Sequence, residues 1–143
     1  MVRVEIEYQG DLHCEAVHGP SQCRLMTDAP VDNHGRGEAF SPTDLVGTAL
    51  GTCIATILGI VAARHELDLR GMRIQVDKEM AVTPTRRIGR LLTRVFVPLP
   101  ADHPQRALME AAAFGCPVHA SLHSDVDKPI EFIWGGYSPG GGE

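Results

Sequence analysis

Residues 41–66 read SPTDLVGTALGTCIATILGIVAARHE, and this stretch decides the fold. Its central 19 residues carry no charge, and their aliphatic residues favour one long helix that is apolar on all sides. Ser41 is a preferred N-cap residue, Pro42 suits the first helical position, and Asp44 puts a negative charge in the first turn. The stretch therefore predicts a helix that runs to about Leu67.

A run of this length has to be weighed as a membrane span, since about 20 apolar residues cross a bilayer. Three glycines and three threonines dilute the run, and no aromatic belt follows it. The N-terminal residues Met1–Glu5 lack the apolar segment of a signal peptide. We therefore expect a cytoplasmic protein that does not associate with a membrane, with its four cysteines reduced at rest.

Alternating apolar and polar residues predict strands on both sides of the helix. The segment before the helix has a long loop that is rich in glycine and proline, and such loops in compact domains are often functional. The order β-β-β-α-β-β-α-α-β predicts an α+β fold in one domain of residues 1–143. The predicted segments are strands over 2–8, 12–17 and 22–27, the loop over 28–40, strands over 69–82 and 87–98, helices over 103–114 and 116–122, a strand over 129–134, and a flexible tail from about 135.

Charge excludes one class of function and the apolar helix suggests an assembly. The net charge of −5, without a run of lysine or arginine, argues against nucleic-acid binding. The densest basic patch, Arg86, Arg87, Arg90 and Arg94, has the spacing of an exposed strand face. A helix that is apolar on all sides is hard to cover with one small sheet and two short helices. We therefore expect a homodimer with this helix near the interface.

Two of the four cysteines lie in contexts that suggest chemistry. Cys53 lies three turns into the long helix, where it is either an inert core thiol or part of a reactive site. Cys116 occupies a predicted N-cap before Pro117, and the helix dipole there is expected to lower its thiol pKa from about 8.5 toward neutrality. If the two thiols meet, one can attack a peroxide and the other can trap the resulting sulfenic acid as a disulfide.

The remaining cysteines and the histidines receive simpler interpretations. Cys14 and Cys23 are expected to face each other across a hairpin as half-buried strand residues. His119 follows Cys116 by three residues, so with Cys53 it could form a metal site, but a lone C-x-x-H is a weak signal. We expect His119 to polarise the thiol pair or to cap locally, with no metal and no cofactor. The other histidines are interpreted as surface residues: His13, His18, His34, His65, His103 and His123.

Three segments carry a family resemblance: Ser41–Leu45, Ala49–Cys53 and Gly115–Val118. They resemble the OsmC/Ohr family, the osmotically inducible and organic hydroperoxide resistance proteins, and the element order agrees over most of the chain. The resemblance implies an intertwined homodimer with each active site at the subunit interface. It also implies a peroxidatic Cys53, a resolving Cys116, an organic hydroperoxide as substrate and a dithiol as reductant.

The chain departs from the family pattern at two positions, which makes it a divergent branch. Peroxidases of the family carry a glutamate where this chain has Thr43, and an upstream arginine that stabilises the thiolate. The corresponding stretch here is Asp32–His34, and the nearest arginine is Arg36. The resemblance therefore implies Cys53, Cys116 and Arg36 as catalytic residues of a thiol-dependent peroxidase that acts in oxidative-stress defence. The alternative is a non-enzymatic protein whose interface cleft binds a small ligand or a metal.

Overall fold

The structure is a computed structural model that describes residues 1–136. Its elements follow the predicted order, with one added 3-10 helix at Val31–Asn33 in the loop before the long helix. The strands are β1 (Val4–Tyr8), β2 (His13–His18), β3 (Arg24–Asp28), β4 (Arg73–Ala81), β5 (Arg87–Val97) and β6 (Ile130–Trp134), and the helices are α1 (Pro42–Arg64), α2 (Arg106–Ala113) and α3 (Pro117–Ser121).

The chain divides into two compact units, Met1–Val46 and the residues from Gly47 onward. The first unit holds an antiparallel sheet in the order β1-β2-β3, with Ile6 opposite Ala16 and Ala16 opposite Leu25. Because side chains alternate between faces, these three residues share one apolar face of the sheet. That face is open in the chain, since the side chain of Ile6 is 70% exposed.

The long helix begins and ends at defined caps. The Ser41 hydroxyl accepts a hydrogen bond from the backbone N–H of Asp44, and the Asp44 carboxylate accepts one from the N–H of Ser41. This reciprocal pair is a capping box, and it confirms Ser41 as the N-cap. The helix ends at Arg64 rather than near Leu67, because Glu66 adopts a left-handed conformation and the N–H of Leu67 turns back to the carbonyl of Ala62.

The second unit packs α1 on the sheet β4-β5-β6, in which β5 is antiparallel to β4 and parallel to β6. Two helix glycines, Gly47 and Gly51, bring α1 close to Val76 and its sheet neighbours. The buried apolar side chains of this core come from α1, β5, α2 and the start of α3: Leu50, Ile54, Leu58, Ala62, Leu91, Leu92, Val95, Val97, Met109, Ala113 and Cys116.

The opposite side of α1 is exposed in the part of the chain that the structure describes. Thr48, Thr52 and Thr56 are exposed along it, and the side chain of Ile60 is 45% exposed. By length and composition α1 could cross a membrane, but the core helix of a soluble protein passes the same test. The expectation of no membrane association therefore stays a prediction.

Three arginines of the predicted basic patch lie on β5 and are half-buried, whereas Arg86 precedes the strand and is exposed. Arg94 bonds to Asp77 on β4 at 2.6 Å and to Glu131 on β6 at 3.2 Å, so its charge is balanced by its neighbours. The predicted tail lies outside the described residues, except for Gly135 and Gly136. Their N–H groups donate to the carbonyl of Val97, and that of Gly135 also to Leu99.

Candidate active site

Cys53 lies at the border between the two sides of α1. Its neighbours along the helix are the fully buried Leu50 and Ile54 on one side and the exposed Thr52 and Thr56 on the other. The Cys53 side chain is accordingly half-buried. A thiol in this position packs against the core and keeps one side accessible, which suits a residue that reacts with a molecule from outside.

Cys116 is the N-cap of α3, with Pro117 in the first helical position, as the sequence predicts. Its backbone is extended, and its sulfur accepts a hydrogen bond from the backbone N–H of His119 at 3.4 Å. The side chain is fully buried. His119 therefore acts here through its backbone as a local partner of the cap, which is one of its two predicted roles.

The thiols of Cys53 and Cys116 are brought together within the second unit. Burial raises the pKa of the Cys116 thiol, and a hydrogen-bonding interaction with the Cys53 thiol raises it further. The backbone N–H groups of His119 and Val118 act in the opposite direction but do not outweigh burial and the Cys53 interaction together. The prediction that the helix N-terminus makes Cys116 the acidic thiol is therefore wrong, because burial of the thiolate and the neighbouring Cys53 thiol together outweigh its stabilisation by the backbone N–H groups.

Two aromatic rings that are close to Cys116 in sequence contact each other. The rings of Phe114 and His119 meet edge to face, with 5.9 Å between their centroids, and Phe114 is half exposed. The residues that carry these rings lie on either side of Cys116 in the sequence.

The position of the family glutamate is occupied by a capping residue. The Thr43 hydroxyl lies 3.2 Å from the Ser41 hydroxyl, so Thr43 is part of the polar cluster at the start of α1. The adjacent carboxylate, Asp44, holds the capping box closed.

Arg36 lies in the first unit, in the loop before α1. With Asp11, Leu12 and His34 it lines an open cavity of about 420 Å³. Because Arg36 and the two cysteines belong to different units, its role at Cys53 stays a prediction.

Sequence reasoning missed a polar pair in the first unit, formed by His13 on β2 and Asp28 on β3. These residues are opposite each other in the sheet, and Nδ1 of His13 lies 2.5 Å from Oδ1 of Asp28. Asp28 is only 2% exposed, and the hydrogen bond from His13 is the main cause of its lowered pKa. His13 is thus not the plain surface residue that was expected. The pair could have been predicted from the sequence if the register between β2 and β3 had been assigned correctly.

The other two cysteines are not neighbours. Cys14 is opposite Thr27, whereas Cys23 precedes β3 and its carbonyl accepts the N–H of His18. Cys23 thus lies beside His18, which is four residues from Cys14 along β2. Four residues of a strand span roughly 13 Å, which is too far for a disulfide. The expected juxtaposition of Cys14 and Cys23 is therefore wrong.

A metal site requires several ligand side chains that lie close together. Within residues 1–136, no three or more His, Cys, Asp or Glu side chains are grouped to hold a metal ion. Cys53, Cys116 and His119 thus do not form such a group.

Comparison with known proteins gives the family. The family model described as OsmC-like protein matches residues 35–130, which include Arg36 and both site cysteines. The chain belongs to the OsmC-like family. No curated protein matches this chain in sequence.

Solved structures agree with this assignment. A protein from Psychrobacter arcticus, named for osmotic stress induction and a detoxification response, is 39% identical, with a TM-score of 0.87 over 92% of this chain and 96% of that one. An organic hydroperoxide resistance protein OsmC from Legionella pneumophila shares the fold at 15% identity, with a TM-score of 0.76 over 93% and 96% of the two chains. A Vibrio cholerae protein named for organic hydroperoxide resistance, with captopril bound in one active site, matches at 14% identity and a TM-score of 0.72, over 91% and 90%.

Proposed function

We propose that this OsmC-like protein is a thiol-dependent peroxidase that reduces organic hydroperoxides through Cys53 and Cys116. The observation that carries the proposal is the interaction of a half-buried thiol with a fully buried one in the same unit. Family membership and the names of structural relatives support a peroxide-related function. A reducing compartment such as the cytoplasm would supply the thiols that the cycle needs.

The different burial of the two thiols assigns their order in the reaction. The thiolate is the nucleophile, and the raised pKa of Cys116 keeps that residue in the thiol form at neutral pH. Cys116 is also fully buried, so its sulfur is not accessible to a peroxide in this structure. Cys53, which has an accessible side, is therefore the residue that attacks, and Cys116 is the residue that resolves.

The proposed catalytic cycle has three steps. The Cys53 thiolate attacks the outer oxygen of ROOH, the O–O bond breaks, and RO⁻ leaves and takes a proton, giving Cys53 sulfenic acid and ROH. The Cys116 thiol then attacks this sulfenic acid, which forms a disulfide and releases water. Finally, a dithiol reduces the disulfide by exchange and is itself oxidised, which restores both thiols.

Arg36 is proposed as the cation that stabilises the Cys53 thiolate and the departing RO⁻. A guanidinium suits this role because it is always charged and presents several donors. The proposal for Arg36 rests on this chemistry and on the family resemblance. The position of Arg36 relative to Cys53 is the first property to test.

A homodimer is proposed as the active form. Two surfaces of the described residues are exposed, namely the uncharged outer side of α1, where threonines and Ile60 lie, and the apolar face of the first sheet that carries Ile6. Exposed apolar area of this extent on a small protein is typical of an interface. A second copy of the chain would cover both surfaces and would bring its own residues near the half-buried Cys53.

The test is consumption of an organic hydroperoxide with a dithiol reductant, compared with hydrogen peroxide. The native chain should consume the organic peroxide faster, since Ile57 and its apolar neighbours on α1 lie near Cys53. Cys53→Ser should abolish consumption, whereas Cys23→Ser, a matched change at an exposed thiol, should leave it intact. Retention of a bound small molecule without turnover would instead favour the non-enzymatic binding protein.

A further inference from the structure

Asp28 connects two parts of the first unit through its buried carboxylate. One oxygen takes the hydrogen bond from Nδ1 of His13 on β2, at 2.5 Å. The other accepts the backbone N–H of Glu38 at 3.1 Å, at the far end of the loop that follows β3. The carboxylate thus ties the loop to the sheet at a point two residues after Arg36.

Backbone hydrogen bonds close the same loop around Asp28. The N–H of Asp28 donates to the carbonyl of Phe40, and the N–H of Ala29 donates to the carbonyl of Leu12 in the β1–β2 turn. The N–H of Gly37 returns to the carbonyl of Ala29 at 3.3 Å. The loop is therefore a closed ring whose two ends meet at Asp28 and Ala29.

Glycines on both sides restrict the backbone at Arg36. A Cβ atom at Gly35 would lie 1.7 Å from the carbonyl oxygen of Ala29, so no side chain fits there. Gly37 has a φ of +64°, a conformation that glycine adopts without strain. The backbone at Arg36 is thus restricted by Gly35 and Gly37. The ring that contains them includes hydrogen bonds to the backbone and the carboxylate of Asp28.

Asp28 also interacts electrostatically with His13 and Arg36. The hydrogen bond from His13 is the largest cause of the lowered pKa of Asp28, and the positive charge of Arg36 is a smaller cause in the same direction. Asp28 is therefore an anion at neutral pH and lies within electrostatic range of Arg36.

We propose that His13 and Asp28 form a positioning pair that sets the loop carrying Arg36, and so the direction in which this arginine presents its charge. The inference rests on the proposed function, in which Arg36 is the cation at Cys53. His13 and Asp28 touch no reacting atom in this proposal. They act through Arg36, and loss of either one weakens the side-chain tie between the loop and the sheet.

The experiment measures charge next to Cys53 directly. Iodoacetate is an anion and iodoacetamide is neutral, so the ratio of their alkylation rates at Cys53 reports a nearby positive charge. Mass spectrometry resolves Cys53 from the other thiols, and the ratio is taken at one fixed pH. A change of stability alone alters both rates together and leaves the ratio unchanged.

Three variants carry the comparison: Arg36→Ala, Asp28→Asn and His13→Gln. Arg36→Ala should lower the ratio about fivefold, the effect of one unit charge about 4 Å away in water. Asp28→Asn and His13→Gln should lower it to a similar extent, and combining either with Arg36→Ala should add nothing. Should Asp28→Asn fail to fold, His13→Gln still tests the pair, because it changes the more exposed partner. Asp11→Asn is the matched control, since it removes an exposed carboxylate beside Arg36 and leaves the bonds of Asp28 in place.

The outcomes separate this inference from the function on which it rests. A lower ratio in Arg36→Ala with an unchanged ratio in both pair variants overturns the positioning role and leaves the role of Arg36 intact. An unchanged ratio in Arg36→Ala overturns both. A decrease in Asp11→Asn equal to that in Asp28→Asn would also overturn the inference, because the ratio would then fall although the bonds of the pair are in place.

Discussion

At the scale of single residues, local geometry was predicted better than acidity. The sequence predicts the N-cap position of Cys116 because Pro117 follows it, and this geometry is confirmed. Its acidity was predicted in the wrong direction, because the sequence does not report how deeply a short helix is buried. Full burial of the sulfur, together with the nearby Cys53 thiol, decides the pKa.

The reactivity of Cys116 follows from its raised pKa. Alkylation requires the thiolate, so the rate at Cys116 should rise with pH around a midpoint above the ordinary thiol value of about 8.5. At neutral pH the exposed Cys23 should react much faster than the buried Cys116. Mass spectrometry of iodoacetamide labelling across a pH series measures both.

Cys53→Ser provides the control for that titration. It removes the second cause of the raised pKa while burial remains, so the Cys116 midpoint should move to lower pH. Faster labelling of Cys116 than of Cys23 at neutral pH would contradict this account.

At the scale of elements, periodicity predicted the order of strands and helices, and the structure confirms it. Periodicity works because each element buries one face or one stripe. The end of α1 was missed by three residues, since a left-handed Glu66 ends the helix without a glycine signal. The His13–Asp28 pair and the separation of Cys14 from Cys23 depend on strand register, which one sequence does not specify.

The contact of α1 with its sheet can be tested at two glycines of the same helix face. A Cβ at Gly47 would meet Val76 at 3.5 Å, an ordinary contact, so Gly47→Ala should raise the free energy of unfolding by about 1 kcal/mol through helix propensity. A Cβ at Gly51 would meet Val76 at 3.0 Å, so Gly51→Ala should be about 1–3 kcal/mol less stable than Gly47→Ala. Urea unfolding at one protein concentration measures both, and equal effects would show that the packing of α1 differs.

A buried hydroxyl on β5 offers a second test of this core. Thr93 is fully buried, and its Oγ1 has no hydrogen-bond partner within the part of the chain that the structure describes. Thr93→Val keeps the shape and removes the unsatisfied group, so the free energy of unfolding should rise by about 1–3 kcal/mol. Thr93→Ala, which also leaves a cavity, should gain less or lose stability. Destabilisation by valine would indicate that the hydroxyl has a partner in the assembled protein.

At the scale of the whole molecule, the chain leaves apolar surface uncovered on each of its units. The outer side of α1 and the apolar face of the first sheet are the two examples. The sequence predicted exposed apolar surface because the long helix has no charged side, and one small domain does not bury such a helix on all sides. Family membership is shown, whereas the dimer that would cover these surfaces remains the proposed assembly.

A charge on the exposed side of α1 tests the assembly. Ile60→Glu should convert a dimer to a monomer or prevent folding, because it would bury a carboxylate in the interface. Val82→Glu is the matched control at a side chain that is 74% exposed, and it should leave the dimer unchanged. Light scattering at micromolar concentration reports the mass, and a native chain that is monomeric would contradict the proposal.

The most direct measurement of the central claim is disulfide mapping after titration with one equivalent of an organic hydroperoxide. The account predicts loss of two thiols per chain, a Cys53–Cys116 crosslink in the peptide map, and full recovery of both thiols with a dithiol. Cys116→Ser should stop the reaction at the sulfenic acid of Cys53, and a dimedone adduct should be found there. Recovery of every thiol unmodified, or of a disulfide that includes Cys14 or Cys23 instead, would contradict the account.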